Sequence, residues 1–278
     1  MMKSTLLVIN ILIIAIIGFQ SCDQKQKTEI RNEFKKYYEQ YQVEGSFALY
    51  DQNADKYILY NERQFKEPFI PASTFKICNS LIGLETGVIT DENFVIPWDS
   101  VARGTDWDKD HSLKTAFQTS AVWYYQELAR RVGGEKMKYW LNKVSYGNAD
   151  TSGGIDKFWL TGGLRVTHEQ QIDFLKRLHD NKLPFSQRNM DIVKTIMIQK
   201  DTSSYTLRAK TGWSRQSGKE IGWYIGYIET KGNVYYFSNC VQLSSELMNQ
   251  EEQTAKFVSS RKAITLAILR ELKIMEVD

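Results

Sequence analysis

The sequence is short of what marks a disulfide scaffold, a metal site, a linker-rich chain or a nucleic-acid binder. Its 278 residues include 3 cysteines, 4 prolines and 17 glycines. Three cysteines do not make a disulfide framework, and so few prolines and glycines leave no room for a low-complexity linker. The 36 basic and 33 acidic residues nearly cancel, to a net charge of +3. No lysine or arginine cluster reads as a phosphate-tracking patch, so nucleic acid is not the expected partner. The three histidines, His111, His168 and His179, fit neither His-Glu-x-x-His nor another zinc spacing. No metal is therefore expected, and at least one histidine should simply cap or cover a helix. No internal repeat is present, which excludes solenoids and propellers.

One long hydrophobic run exists, at the start. Lys3 precedes residues 6–19, apolar except for Asn10, and Gln20, Ser21 and Cys22 follow. A charged start and a short apolar core read as an export signal over residues 1–21 rather than a stable membrane span. The stretch Gly18-Phe19-Gln20-Ser21-Cys22 resembles a loose lipobox, which makes Cys22 the expected site of lipidation; an ordinary signal with an incidental cysteine is the alternative. The polar residues 23–27 then read as a tether. The expected location is the periplasm of a Gram-negative bacterium, at a membrane surface. Cys78, in an apolar helical stretch, and Cys240, in a strand-like run, are expected to be buried free thiols.

The remaining chain, 23–278, reads as one domain. A short helix over 29–41 leads into strand patterns at 46–50 and 57–60, joined by the turn-prone Asp51-Gln52-Asn53-Ala54-Asp55. Residues 73–86 turn helical and apolar on nearly all sides, with Gly87 as the stop. Helical stretches follow at 120–132, 134–144 and 169–181. Strand patterns return at 205–209, 221–228 and 234–241, the last two joined by Thr230-Lys231-Gly232-Asn233. A long amphipathic helix over 251–274 closes the chain. Strands at both ends with helices between predict an α/β chain of the α+β type: one antiparallel sheet from about 29–65 and 200–278, with a helical lobe over about 66–199. A cleft between such lobes is where a ligand would bind.

Chemistry enters with Ser73-Thr74-Phe75-Lys76. A serine and a lysine three apart on a helix share a face, so an amine comes within reach of a hydroxyl. A hydroxyl is a poor nucleophile until a base takes its proton, and a neutral lysine can be that base. A second match, Ser259-Ser260-Arg261-Lys262, carries no such meaning. There Ser259 and Lys262 point away from the apolar stripe of Phe257, Ile264, Ile268 and Leu272. Lys76 instead sits in a helix that reads as buried, where an unpaired charge costs several kcal/mol and the pKa falls. The triplet Lys210-Thr211-Gly212 ends the strand pattern over 205–209. Its backbone can pair with an extended substrate while Thr211 offers a donor and Lys210 a positive charge. Ser-x-x-Lys followed about 130 residues later by Lys-Thr-Gly is the signature of penicillin-recognising serine enzymes.

Three further motifs narrow the family. Ser120-Ala121-Val122 stands where penicillin-binding proteins and class A β-lactamases carry Ser-x-Asn, and Tyr146-Gly147-Asn148 and Phe158-Trp159-Leu160 follow in order. From about residue 29 onward the chain resembles a class D, oxacillinase-type β-lactamase. That resemblance implies the β-lactamase/transpeptidase-like fold and hydrolysis of β-lactams through an acylated Ser73. It also implies that Lys76 reacts with carbon dioxide to form a carbamate, the base for both acylation and deacylation. Only an unprotonated amine adds carbon dioxide, and Val122, Trp159 and Leu160 could supply the apolar wall that keeps it so. The Trp159 indole N–H would donate to the resulting anion. Ser120 joins the catalytic set, and the backbone N–H groups of Ser73 and Trp213 would form the oxyanion hole.

Arg261 lies on the core-facing stripe with Phe257, Ile264 and Ile268. A guanidinium needs a partner there, and the carboxylate of a β-lactam would be one; a structural salt bridge is the alternative. The substrate-binding set is thus Val122, Lys210, Thr211, Gly212, Trp213 and Arg261. Substrate range should depend on the loops near Trp107 and residues 214–219. Two rivals share the motifs. A β-lactam sensor domain stays acylated but belongs to larger transmembrane proteins, and here only a signal is expected before the domain. Val122 and the Trp159 loop argue against a cell-wall D,D-peptidase.

Overall fold

The computed structural model describes residues 27–276; the signal segment and Cys22 lie outside them. The strands and helices run β1 (Lys27–Ile30), α1 (Lys35–Gln40), β2 (Glu44–Asp51) and β3 (Lys56–Tyr60). Next come α2 (Lys76–Glu85), the short strands β4 (Val95–Ile96) and β5 (His111–Ser112), α3 (Leu113–Thr119), α4 (Val122–Val132), α5 (Gly134–Lys143), α6 (His168–His179) and α7 (Gln187–Ile196). The chain then forms β6 (Ile198–Asp201), β7 (Tyr205–Gln216), β8 (Lys219–Thr230), β9 (Val234–Ser244) and α8 (Glu251–Glu271).

Seven strands make one sheet in the order β1-β3-β2-β9-β8-β7-β6. Among the described residues, the β1–β3 pair is parallel and the sheet's other pairs are antiparallel. The strand alternation sorts side chains to two cores. Phe237, Val241 and Leu243 of β9 join Phe257, Ile264 and Ile268 of α8 on one face. Tyr236 and Cys240, one residue out of phase, join the larger core built on α2, α4 and α6. The mixed architecture agrees with the expected α+β arrangement, with helices covering both faces of the sheet.

The structure corrects several local expectations. Residues 27–30 are an edge strand, and the helix expected over 29–41 shrinks to α1 after a 3-10 turn at Asn32–Phe34. The helix expected from Ser73 begins as a 3-10 turn, Ala72–Phe75, and becomes α-helical only at Lys76. Ser120 is not a helix start. It caps the end of α3 in a left-handed conformation, φ 62°, and α4 begins at Val122. Lys210-Thr211-Gly212 does not end its strand, because β7 continues to Gln216.

His168 opens α6 and is buried between two strands, where Nε2 lies 2.8 Å from Ser46 Oγ and Nδ1 2.9 Å from Ser238 Oγ. Burial lowers its pKa to about 3, so it holds helix to sheet as a neutral ring. Cys78 and Cys240 are buried free thiols. Among the described residues no group of three His, Cys, Asp or Glu side chains is placed to hold a metal ion.

Candidate active site

Ser73 is held on a tight turn. Ala72, just before it, is fully buried yet adopts φ 50°, a conformation that costs a residue with a side chain energy and persists only where its surroundings impose it. Thr74 fixes the turn from the other side: its hydroxyl donates to Pro71 O at 2.7 Å and accepts from Gln171 Nε2 at 2.9 Å. Phe75 locks the turn into the core through edge contacts with Tyr146 and Phe158 and a tilted one with Trp159. Ser73 itself is only 8% exposed.

One helical step further, Lys76 Nζ lies 2.6 Å from Ser73 Oγ, the pairing that the three-residue spacing predicts. The Tyr125 ring centroid lies 5.2 Å from the amine. Lys76 is fully buried, and no carboxylate lies within salt-bridge distance of it among the described residues. Desolvation alone lowers its pKa to about 7, so near neutrality a large fraction of the amine is unprotonated.

The second wall is β7. Strand β6 pairs with it only as far as Arg208, so the strand edge beyond is uncovered by β6. The edge comes close to Ser73 because Gly212 has no side chain: a Cβ there would sit 2.9 Å from Pro71 O and 3.1 Å from Thr74 Cγ2. Lys210 points to the helical side, where Nζ donates to Ser120 Oγ at 3.0 Å and to Thr211 O at 3.1 Å. Burial, with Lys76, Arg261 and Lys262 nearby, pushes the Lys210 pKa well below the usual lysine value.

Arg261 approaches from α8 on the far side. Its guanidinium donates from Nη1 to Gly212 O at 3.0 Å and from Nε to Val258 O at 3.0 Å. Both partners are neutral carbonyls, so among the described residues the cation has no carboxylate. Burial lowers its pKa to about 10, which leaves it charged at neutral pH. A cavity of about 300 Å³ is lined by Ser73, Trp107, Thr119, Ser120, Val122, Thr211, Gly212, Trp213 and Arg261. Every substrate-binding residue expected from the sequence is there except Lys210, which is buried behind the lining together with Lys76 and Trp159.

Trp159 is fully buried and its indole N–H has no hydrogen-bond partner. An orphaned donor in the core costs about 1–3 kcal/mol. Its loop is pinned by Asn148, which accepts from Arg165 N at 2.9 Å and donates to Gly163 O at 3.0 Å, and by the Ser214 hydroxyl donating to Leu160 O. Tyr146-Gly147-Asn148 thus works from behind the site. Two lining residues were outside the expected sets: Thr119, and Trp107 as a wall. The Trp107 indole donates to Thr119 O at 3.0 Å, and Trp107 O accepts from Trp123 Nε1 at 2.8 Å. These bonds join distant loop and helix residues, which no local motif announces.

Fold and site together define a penicillin-recognising serine enzyme, and residues 23–263 match the family described as the penicillin binding protein transpeptidase domain. The chain is 37% identical to the β-lactamase OXA-48 of Klebsiella pneumoniae, over 95% of this chain and 96% of that protein. It is 40% identical to the probable β-lactamase YbxI of Bacillus subtilis, over 85% and 90% of the two chains. The crystal structure of a class D β-lactamase from Sebaldella termitidis superposes with a TM-score of 0.84 at 39% identity, covering 90% of this chain and all of that one. The chain belongs to the class D serine β-lactamases.

Proposed function

We propose that this chain hydrolyses the β-lactam ring of penicillin-type antibiotics through an acyl-enzyme on Ser73, with N6-carboxylated Lys76 as general base, and so gives antibiotic resistance. The observation that carries it is the Ser73–Lys76 pair: a hydroxyl 2.6 Å from a fully buried amine whose pKa is about 7. Ser73 Oγ would lose its proton to the Lys76 side chain as it attacks the lactam carbonyl. The backbone N–H groups of Ser73 and Trp213 would take the developing oxyanion. Ser120, bonded to Lys210, faces the cavity and could pass a proton to the leaving nitrogen. Arg261 would receive the substrate carboxylate.

Carbon dioxide suits the site. Addition of the unprotonated Lys76 amine to it forms an N–C bond and releases one proton, leaving a carbamate anion. That group would supply an oxygen base able to accept a proton in both half-reactions. The orphaned Trp159 N–H, on a ring packed against the residue before Lys76, is the buried donor such an anion requires. Purified protein should turn over nitrocefin many times per enzyme, faster with added bicarbonate. A single stoichiometric burst would instead make it a sensor, and no reaction at all would overturn the proposal.

We also propose that residues 1–21 export the chain to the periplasm and that lipid on Cys22 holds it at the membrane. Lys3, the apolar run over residues 6–19 and the lipobox-like Gly18-Phe19-Gln20-Ser21-Cys22 support this reading. Cys22→Ser should move the protein from the membrane to the soluble fraction of fractionated cells. A wild-type protein already fully soluble would contradict it.

A further inference from the structure

The β7–β8 hairpin buries a carboxylate that the proposed mechanism does not use. Glu220 is 4% exposed. Its Oε2 accepts from the Trp213 indole N–H at 2.8 Å, and its Oε1 accepts from Arg215 Nε at 2.7 Å and the Ser245 hydroxyl at 2.8 Å. The strand register makes this arrangement. Arg215 lies across from Glu220 and Trp213 across from Gly222, so all four positions share the sheet face that α8 covers. Gly222 leaves the space that α8 fills: a Cβ there would meet Phe257 Cζ at 2.8 Å and Arg261 Cδ at 2.9 Å. The Trp213 ring consequently lies 5.7 Å from the Phe257 ring and 5.9 Å from the Arg261 guanidinium carbon.

A continuous chain therefore runs from Glu220 through the indole to the cation that faces the cavity. Arg215 alone would satisfy Glu220 as an ion pair. The bond to Trp213 does something more, because Trp213 is 41% exposed and its N–H could be left to solvent. A large exposed ring anchored at its polar edge is held in one rotamer. In that rotamer it walls one side of Arg261, whose guanidinium donates to the carbonyls of Gly212 and Val258.

We infer that Glu220 is a positioning residue for recognition of the substrate carboxylate: by anchoring the Trp213 indole it holds the wall that keeps Arg261 oriented and shielded from water. This rests on the reading of the cavity as a β-lactam site. Because the carboxylate is bound alike in the ground and transition states, the effect falls on KM rather than kcat.

Steady-state hydrolysis of a penicillin by the full protein tests it. Glu220→Ala should raise KM about tenfold with kcat within about twofold. Glu220→Gln retains an oxygen for the indole N–H and should stay within about twofold of wild type in KM. Trp213→Phe keeps an aromatic ring, a smaller one, but loses the N–H; it should raise KM at least as much as Glu220→Ala does, and the double variant should be no worse than Trp213→Phe alone. With the substrate's methyl ester, which lacks the charge Arg261 reads, Glu220→Ala should change nothing. Unchanged KM in folded Glu220→Ala, additive single effects, or equal loss in the Ala and Gln variants alongside lowered melting temperatures would each overturn the inference. A wild-type protein that does not hydrolyse the penicillin would instead overturn the underlying reading, and this inference with it.

Discussion

Ser73→Ala is expected to lower penicillin hydrolysis by at least about 10⁴-fold, an effect of the size seen when a serine nucleophile is removed from its unit. Of the hydroxyls lining the cavity, that of Ser73 is bonded to Lys76, a fully buried amine whose pKa is lowered to about 7. Thr119 and Thr211 face the same cavity, and Ser120 pairs with Lys210, which is committed to two oxygens of Thr211 as well. None of them is bonded to Lys76, the amine that sits 2.6 Å from the Ser73 hydroxyl. The replacement is small and the turn is held by Thr74 and Phe75, so the variant should fold normally. Mass spectrometry after exposure to penicillin should find the adduct on the peptide carrying Ser73 in the wild type and no adduct in the variant. An adduct mapped elsewhere would break the assignment.

Lys76→Ala should be nearly as damaging, at about 10³-fold or more, and on the proposed mechanism, in which one base serves both steps, should slow acylation and deacylation together. The pH profile gives an independent check. The Lys76 pKa is lowered from the lysine value to about 7, so the unprotonated amine is abundant above pH 7 and is lost as pH falls through it. Wild-type activity should therefore fall on the acid side of pH 7. Bicarbonate should restore part of it, since trapping the neutral form pulls the equilibrium toward it. Carbon NMR with labelled bicarbonate should give a carbamate signal that disappears in Lys76→Ala. Full turnover without that signal would mean that Lys76 acts as a plain amine. Trp159→Ala should weaken the signal and slow deacylation most, so that acyl-enzyme accumulates after the first turnover.

The parts legible in the sequence are those governed by local periodicity. Spacing alone put Ser73 and Lys76 on one face, and the apolar stripe of the last helix put Arg261 with Phe257 and Ile264. What escaped depends on partners distant in the chain. Lys27–Ile30 has no alternation of its own strong enough to read as a strand, and its pairing with Lys56–Leu59 makes it one. The end of β7 was cut short because Trp213, Ser214, Arg215 and Gln216 are not buried as a strand core would be, although each pairs with β8. Ser120 looked like a helix start because serine favours that position; its left-handed φ comes from the sharp junction between α3 and α4. Glu220 carries no motif at all. Its role emerges only when the register sets it across from Arg215, beside a tryptophan two residues earlier.

The central pairing of the sheet joins β2 to β9, matching Glu44 with Gln242 and Asp51 with Tyr235. These partners lie almost two hundred residues apart, and the helices that carry Ser73, Lys76 and Ser120 fall inside that loop. Closing so long a loop must precede the reward of its contacts, which makes for slow folding. During synthesis β2 emerges early and waits, with one edge bare, until the last third of the chain arrives. The nucleophile likewise waits for β7, which is made more than a hundred residues after it. A partly made or truncated molecule would show sticky strand edges and no reactivity toward the drug, and activity should rise only with the final, sheet-closing step of folding.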